Sequence, residues 1–389
     1  MPVIIASQFA GAALWFAGNA VLEDLQRQWG LPAEALGYTT SSVQLGFIAG
    51  TLAFAFFAVA DRHSPRLVYF LCALAGAAAN AAILAAGPSL AALLALRFAT
   101  GFFLAGIYPV GMKIASGWFQ RDLGNALGFL VGALVAGTAF PHLLKSLGAA
   151  LPWQEVLLAA SGVAALGGLL MLALVPDGPH LAKGARFDPR ALAAIFRVRE
   201  FRASSFGYFG HMWELYAFWA FVPWMLAAQG AQNAGGALNV PFWSFAVIAA
   251  GALGCAAGGL ASLRLGSAPV AFAQLAASGL CCALSPLAFH APTPVFLGFL
   301  LFWGVVVVGD SPQFSALNAH SAPRERVGSA LTIVNCIGFS ITILSIELLN
   351  AVSGRIAPHW LFLLLAPGPA LGLVSLLPLL KRASPRTAA

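Results

Sequence analysis

Apolar residues run through this chain in twelve long stretches, near residues 3–22, 36–60, 67–87, 90–111, 125–144, 155–175, 204–228, 240–262, 269–289, 293–315, 328–350 and 358–380, with polar gaps between them. Each holds about 20 residues or slightly more, which as an α-helix crosses ~30 Å of hydrocarbon at ~1.5 Å per residue. The pattern predicts twelve membrane-spanning helices, spans 1 to 12 in chain order. Strands are not expected, because lipid offers unpaired backbone groups no partner and the roughly ten-residue alternation of a barrel is missing. The expected fold class is an all-α integral membrane protein.

Composition supports the same picture. Apolar residues make up 60% of the 389 and charged ones 8%, too little polar surface for a soluble chain of this size. A bilayer-embedded chain needs no more, since lipid replaces water around most of its exterior. The basic residues add orientation. Sixteen of the twenty fall in alternate gaps: Arg62 and Arg66, Lys113 and Arg121, Lys183, Arg186, Arg190, Arg197, Arg199 and Arg202, Arg264, Arg324 and Arg326, and Lys381, Arg382 and Arg386 in the tail. The opposite gaps hold Arg27, Lys145 and Arg355, and Arg97 lies inside span 4. Short basic loops stay on the cytoplasmic side, so both termini are expected there, in a plasma membrane of the bacterial inner-membrane kind. The net charge of +7 reflects this loop bias, and no nucleic-acid partner is expected.

The first 22 residues lack a basic leader and carry a longer apolar run than a signal peptide needs, so an uncleaved first span is expected. Cys72, Cys255, Cys281, Cys282 and Cys336 all fall inside spans, without disulfide or metal-ligand spacing, and read as small packing residues. No metal or other cofactor is expected.

The polar stretch 176–203 divides the chain into residues 1–176, a cytoplasmic linker at 177–203, and residues 204–389. Six spans lie on each side of it, and motifs recur between the two sets. Gly106-Ile107-Tyr108-Pro109 in span 4 is echoed by Gly309-Asp310-Ser311-Pro312 in span 10, an offset of 203 residues. Arg121-Asp122-Leu123-Gly124-Asn125-Ala126-Leu127 is echoed by Glu325-Arg326-Val327-Gly328-Ser329-Ala330-Leu331 at an offset of 204. Agreement in both offset and topological position marks an internal repeat.

Carrying these motifs, the chain resembles the major facilitator superfamily of secondary transporters over essentially its whole length. Asp61-Arg62-His63-Ser64-Pro65-Arg66 resembles that family's acidic–basic signature between helices 2 and 3, with Phe57 and Ser64 where glycines are usual. The matching loop, Gly259 to Gly266, keeps both glycines and Arg264 but has Leu263 in place of the acid. Arg97-Phe98-Ala99-Thr100-Gly101 resembles the family's membrane arginine motif. Span 5 reads Gly132 to Gly137 and then Phe140-Pro141, without the Gly-Pro pair of many exporters. The resemblance implies twelve helices in two pseudo-symmetric halves, a small-molecule substrate and a functional monomer. It also implies a central cavity lined by helices 1, 4, 7 and 10, and gating by Asp61, Arg62, Arg66 and Arg264.

An ionisable group inside a span is costly unless paired or hydrated. Arg97, Glu214 and Asp310 are such groups, and they fall on spans 4, 7 and 10. Glu214 lies near the middle of span 7, with His211 three positions earlier on the same helix face and Tyr208 one turn before that. Carboxyl and imidazole together point to proton coupling; a neutral glutamate tied to His211 for packing is the bland alternative. Arg97 offers a guanidinium fork for an anionic substrate, or else pairs with backbone carbonyls and holds the bundle. Asp310, close to the cytoplasmic end of span 10, is expected to form a gate salt bridge with Arg264. Gln8, Asn19 and Asn335 are candidate substrate contacts, although small polar residues also join helices. Trp213, Tyr216 and Trp219 offer stacking surfaces, and Trp224 suits the interfacial belt. His142, Lys145 and Glu347 are expected to be hydrated near the outer ends of their spans.

The sequence therefore predicts a secondary transporter working by alternating access, coupled to protons through Glu214 and His211. The expected cargo is a small organic or inorganic anion, imported with protons. Export of an amphipathic or cationic compound in exchange for protons is the alternative. No ATP-binding motif is present. An intramembrane enzyme is not expected, because His211 and Glu214 lack the second histidine of a zinc site and no nucleophile motif appears. A non-transporting sensor of the same fold is a remote alternative, which an appended signalling domain would favour.

Overall fold

The structure, a computed structural model, describes residues 1–119, 123–147, 151–180, 188, 195–232, 238–323 and 326–383. Arg121, Asp122, Lys183, Arg186, Arg190, Arg324, Glu325 and Arg386 lie outside them, as does most of the stretch 177–194. Regular structure among the described residues is entirely helical. Spans 2–6 and 8–12 are helices long and apolar enough to cross a membrane by length and composition. Span 7 is an unbroken helix, Arg199–Gln232, of 34 residues. It carries His211, Glu214 and Gln229 inside, which dilutes its apolar character without shortening it.

Span 1 differs from the continuous helix expected over 3–22. It runs as Pro2–Ala12, turns at residues 13–16, and resumes as the short helices Ala17–Ala20 and Leu22–Trp29. A break inside the membrane frees carbonyls that need another donor, and Arg97 supplies it, as described below. Spans 4 and 10 break at matching places. Leu90–Leu104 gives way to Tyr108–Trp118, and Thr293–Gly309 gives way to Ser311–Ser321. Each second helix has a proline in its first turn, Pro109 and Pro312. Proline cannot supply the N–H that would continue a preceding helix, yet it suits a new first turn. The repeated sequence motif is thus a repeated helix break.

Polar contacts define two ends of the bundle. Lys113 pairs with Asp61, Ser64 Oγ donates to Asp177 Oδ1 at 3.0 Å, and Trp118 Nε1 donates to the Pro176 carbonyl at 3.1 Å. The gaps after spans 2, 4 and 6 therefore meet at one end, the end of the basic loops. At the opposite end Lys145 pairs with Asp24, and Trp153 Nε1 donates to Gln28 Oε1 at 2.8 Å.

The first and last six spans meet along two principal seams, span 2 against span 11 and span 5 against span 8. Within each set, one glycine permits close helix contact. A Cβ on Gly101 would collide with the Val43 carbonyl of span 2, and one on Gly304 with the Val247 carbonyl of span 8. These glycines are also 203 residues apart, so the packing repeats with the same offset as the breaks. Small residues at helix crossings let dispersion contacts hold membrane helices where no hydrophobic driving force exists.

Candidate functional site

A cavity lies where the breaks of spans 4 and 10 face each other. Tyr108 and Met112 of span 4 and Val131 and Leu134 of span 5 form one wall. Tyr208, Met212, Leu215, Tyr216 and Trp219 of span 7, Val308, Ser311 and Ser315 of span 10, and Asn335 and Phe339 of span 11 form the other. Its free space is about 40 Å³, room for about three or four waters at about 10–15 Å³ each. A substrate enters only if the walls part. Tyr108 and Ser311 are repeat equivalents and both line it. The residue before the motif proline was legible in the sequence as a position, but its aim was not.

Tyr208 Oη donates to Asn335 Oδ1 at 3.3 Å, so two expected site residues meet in the cavity wall. Tyr216, also expected, sits under an aromatic roof that joins the first and last sets of spans. Trp15 stacks on Phe339 with ring centroids 5.7 Å apart and lies 5.7 Å from Tyr216, while Phe16 meets Trp219 edge-on at 6.3 Å. Trp15 and Trp219 are wholly buried, and neither indole N–H has a hydrogen-bond partner among the described residues. An indole N–H is a donor only, and leaving one bare in an apolar interior costs about 1–3 kcal/mol.

Beside the cavity, His211 Nδ1 lies 2.8 Å from Asp310 Oδ1, and both side chains are about 1% exposed. The expected pairing of Asp310 with Arg264 is corrected: Arg264 is exposed at the basic-loop end of span 8, whereas Asp310 occupies the span 10 break and turns toward span 7. The helix that begins at Ser311 presents its positive end to this carboxyl, which favours an acid there. His211 Nε2 and both Asp310 carboxyl oxygens have no hydrogen-bond partner among the described residues, so the 2.8 Å approach is a close charge contact.

Glu214 also departs from expectation. Its Oε1 accepts from Trp303 Nε1 at 2.7 Å, from Ser278 Oγ, and from Cys282 Sγ at 3.4 Å. Trp303 additionally donates to Ser278 Oγ at 3.1 Å. The side chain is thus directed into the packing of spans 7, 9 and 10, while His211 pairs with Asp310. Positions three apart on a helix diverge by about 60° around its axis, enough to send these two to different partners.

Arg97 makes the backbone-carbonyl contacts of its alternative reading. Arg97 is fully buried but absent from the cavity wall. Its Nη1 donates to the Leu14 carbonyl at 3.1 Å and to Asn80 Oδ1 at 3.2 Å, and its Nη2 donates to the Trp15 carbonyl. Asn80 donates onward to Ser161 Oγ at 3.0 Å. A Cβ on Gly18 would lie 2.8 Å from Arg97 Nε. The guanidinium therefore clamps the break in span 1 and holds Trp15 and Phe16 over the cavity.

Three further expected substrate contacts lie outside the cavity wall. Trp213 Nε1 donates to the Leu364 carbonyl of span 12 at 3.2 Å. Gln8 is buried against Gly111 of span 4, with both amide heteroatoms unpartnered among the described residues. Asn19 Nδ2 donates to Thr40 Oγ1 at 2.7 Å. Of the gating residues, Asp61 pairs with Lys113, which also donates to the Ala60 carbonyl at 2.7 Å. Arg66 Nε lies 3.9 Å from Asp177 Oδ1, and Arg62 is exposed. Lys113 and Asp177 were missed because their partners are remote in sequence. Of the outer-end residues expected to be hydrated, His142 is corrected, being only 3% exposed; Lys145 and Glu347 are partly exposed, with Lys145 paired to Asp24 and Glu347 Oε1 accepting from Ser41 Oγ at 2.5 Å.

Helices packed around a buried cavity, uncharged in its walls and flanked by an acid–imidazole pair, form a site of the kind a membrane transporter uses. Residues 3–346 match the Major Facilitator Superfamily, and the chain belongs to that family. A D-galactonate transporter of Escherichia coli O6:H1 is 26% identical over 162 residues. That match covers 41% of this chain and 37% of the relative, little more than a third of its length. Among solved structures, a variant of the nucleoside transporter NupG superposes with a TM-score of 0.70 at 17% identity, covering 97% of this chain and 98% of that one. The human organic anion transporter MFSD10 superposes with a TM-score of 0.66 at 18% identity, covering 96% and 99%. At these identities the two structures speak for the fold alone.

Proposed function

We propose that this transporter moves a small organic anion together with protons, and that Asp310 with His211 takes up the proton. The observation that carries this reading is the buried Asp310–His211 contact at the break of a cavity-forming span. A carboxyl and an imidazole that share a proton beside the cavity change charge when the proton leaves, and an intramembrane ionisable group is retained for such a purpose. Glu214, bonded to three donors in the helix packing, is the second acid of the set.

The cargo class rests on the donors around the cavity. The bare indole N–H of Trp219, a residue of the cavity wall, suits an oxygen acceptor on a substrate and not a cation, which favours an anion or hydroxy acid over a cationic amphipath. The partial match to a D-galactonate transporter supports a sugar-acid-like cargo. On this reading the first and last six spans rock as two bodies about the cavity. The basic loops and both termini face the cytoplasm of a bacterial inner membrane, and one chain suffices for transport.

Reconstitution into liposomes tests the proposal, with radiolabelled D-galactonate as the first probe and a panel of small carboxylates after it. Accumulation above equilibrium under an imposed pH gradient, collapsed by a protonophore, is the expected result. Uptake of a carboxylate that only equilibrates, whatever the gradient, refutes the proton-coupled part. Uptake confined to amines or neutral solutes refutes the anion part.

A further inference from the structure

We infer that, given the transport reading proposed above, the outer half of span 5 carries a subsite for hydroxyl groups. Thr138 and His142 form it, and it takes the hydroxylated part of the cargo between the cavity and the end opposite the basic loops.

Val131 and Leu134 of span 5 line the cavity. Thr138 and His142 come next along the helix, and Lys145 beyond them pairs with Asp24 at the outer end. Spacings of three and four residues keep these positions on one helix face. At ~1.5 Å per residue, Thr138 lies about 6 Å and His142 about 12 Å beyond Leu134 toward that end. The polar face thus continues the cavity wall outward. Its flank is a seam between the first and last six spans, where a Cβ on Gly251 of span 8 would lie 3.1 Å from Val135 Cγ1. Rocking of the two sets about the cavity opens that seam and uncovers the face.

Both side chains are buried, yet Thr138 Oγ1 and His142 Nε2 have no hydrogen-bond partner among the described residues. A threonine inside a helix can bond back to the carbonyl four residues earlier, as Thr40 does to Leu36 at 2.7 Å and Thr100 to Leu96 at 2.8 Å. Thr138 does not take that bond, so its hydroxyl stays open to another partner. Two neighbouring groups are bare as well among the described residues: the indole N–H of Trp219 in the cavity wall, and Asn19 Oδ1 on the helix Ala17–Ala20, which packs against span 5.

Buried polar groups without partners are costly, and this set is mixed. A hydroxyl and a neutral imidazole each donate and accept, the amide oxygen accepts, and the indole N–H donates. A carboxylate supplies acceptors alone and an ammonium donors alone, so neither matches the whole set. A hydroxyl supplies both. The chemistry recognised here is therefore that of a polyhydroxylated chain, and a site built to bond hydroxyls rejects an analogue that lacks them.

The test is calorimetric titration of the full chain in lipid nanodiscs with D-galactonate and with hexanoate, which has the same carbon chain and carboxylate but no hydroxyls. The native chain should bind D-galactonate the more tightly. His142→Phe and Thr138→Val should each weaken D-galactonate about five- to tenfold, roughly one hydrogen bond, and leave hexanoate unchanged. Thr138→Ser, which retains the hydroxyl, should retain the preference. A native chain that binds D-galactonate no more tightly than hexanoate, or binds neither, overturns the inference. So does a folded double variant, His142→Phe with Thr138→Val, that keeps the full preference. If His142→Phe does not fold, Thr138→Val decides alone, since valine matches threonine in shape, and an unchanged preference there overturns the inference. Absence of gradient-driven accumulation with the preference intact refutes the proposed proton coupling and leaves the subsite standing.

Discussion

His211 Nδ1 and Asp310 Oδ1 meet at 2.8 Å across the contact of spans 7 and 10, with both side chains shut away from solvent. Neither residue has a lysine or arginine as its partner among the described residues, and in the proposed function this pair takes up the proton. Asp310→Asn removes the acid while keeping the shape. Accumulation driven by a pH gradient should fall to the equilibrium level, whereas exchange of labelled for unlabelled substrate continues, because exchange needs no net proton movement. Loss of both activities in a variant that folds normally would instead place Asp310 in substrate binding.

Glu214 separates a coupling role from a packing role by a different comparison. Replacement by alanine leaves the Trp303 indole N–H and the Ser278 hydroxyl without their carboxylate, at about 1–3 kcal/mol for each donor left bare. Replacement by glutamine keeps an oxygen acceptor in place. Thermal unfolding in detergent should therefore show a clear loss for Glu214→Ala and a much smaller one for Glu214→Gln. Equal losses would mean that the ionised carboxylate itself is what the packing needs.

The apolar spans were readable because lipid imposes a length and an apolar composition on each crossing, and both are properties of the local sequence. The repeat was readable for a related reason: Gly106 and Gly309, with Pro109 and Pro312, recur at one offset, and the helices of spans 4 and 10 break there. Side-chain destinations were less accessible. Arg97, Glu214 and Asp310 were all recognisable as intramembrane charges, but each partner comes from elsewhere in the chain: Leu14 and Asn80 for Arg97, Ser278 and Trp303 for Glu214, His211 for Asp310. A rotation of the helix by one position selects between cavity and packing, and hydropathy does not record it. The break in span 1 was hidden as well, since Ala13-Leu14-Trp15-Phe16 is as apolar as the helix around it.

Arg97 now carries a stability prediction in place of a binding one. Arg97→Ala bares the carbonyls of Leu14 and Trp15 and the Asn80 side chain, at about 1–3 kcal/mol for each group that finds no water. The unfolding temperature should drop, and Trp15 fluorescence should report a loosened roof above the cavity. Arg97→Lys should recover only part of the loss, because one ammonium cannot reproduce the planar fork that reaches Leu14 and Asn80 from one nitrogen and Trp15 from the other. Gly18→Ala should imitate the effect by crowding Arg97 Nε.

Lys113 and Asp61 provide a last comparison, between an ion pair that stabilises the fold and one that controls movement. Their side chains are 22% and 25% exposed, and pairs in such surroundings contribute about 0–1 kcal/mol. Asp61→Lys or Lys113→Asp alone should therefore change the unfolding temperature only slightly. If the contact holds the basic-loop end closed, however, each reversal should depress the initial uptake rate severalfold by placing like charges together. The double variant, Asp61→Lys with Lys113→Asp, restores opposite charges and should recover much of the rate. Uptake in liposomes at two ionic strengths measures this directly. Single variants as fast as the native chain would show that the pair is only a surface contact, and a double variant no better than the singles would show that Lys113 acts through the Ala60 carbonyl instead.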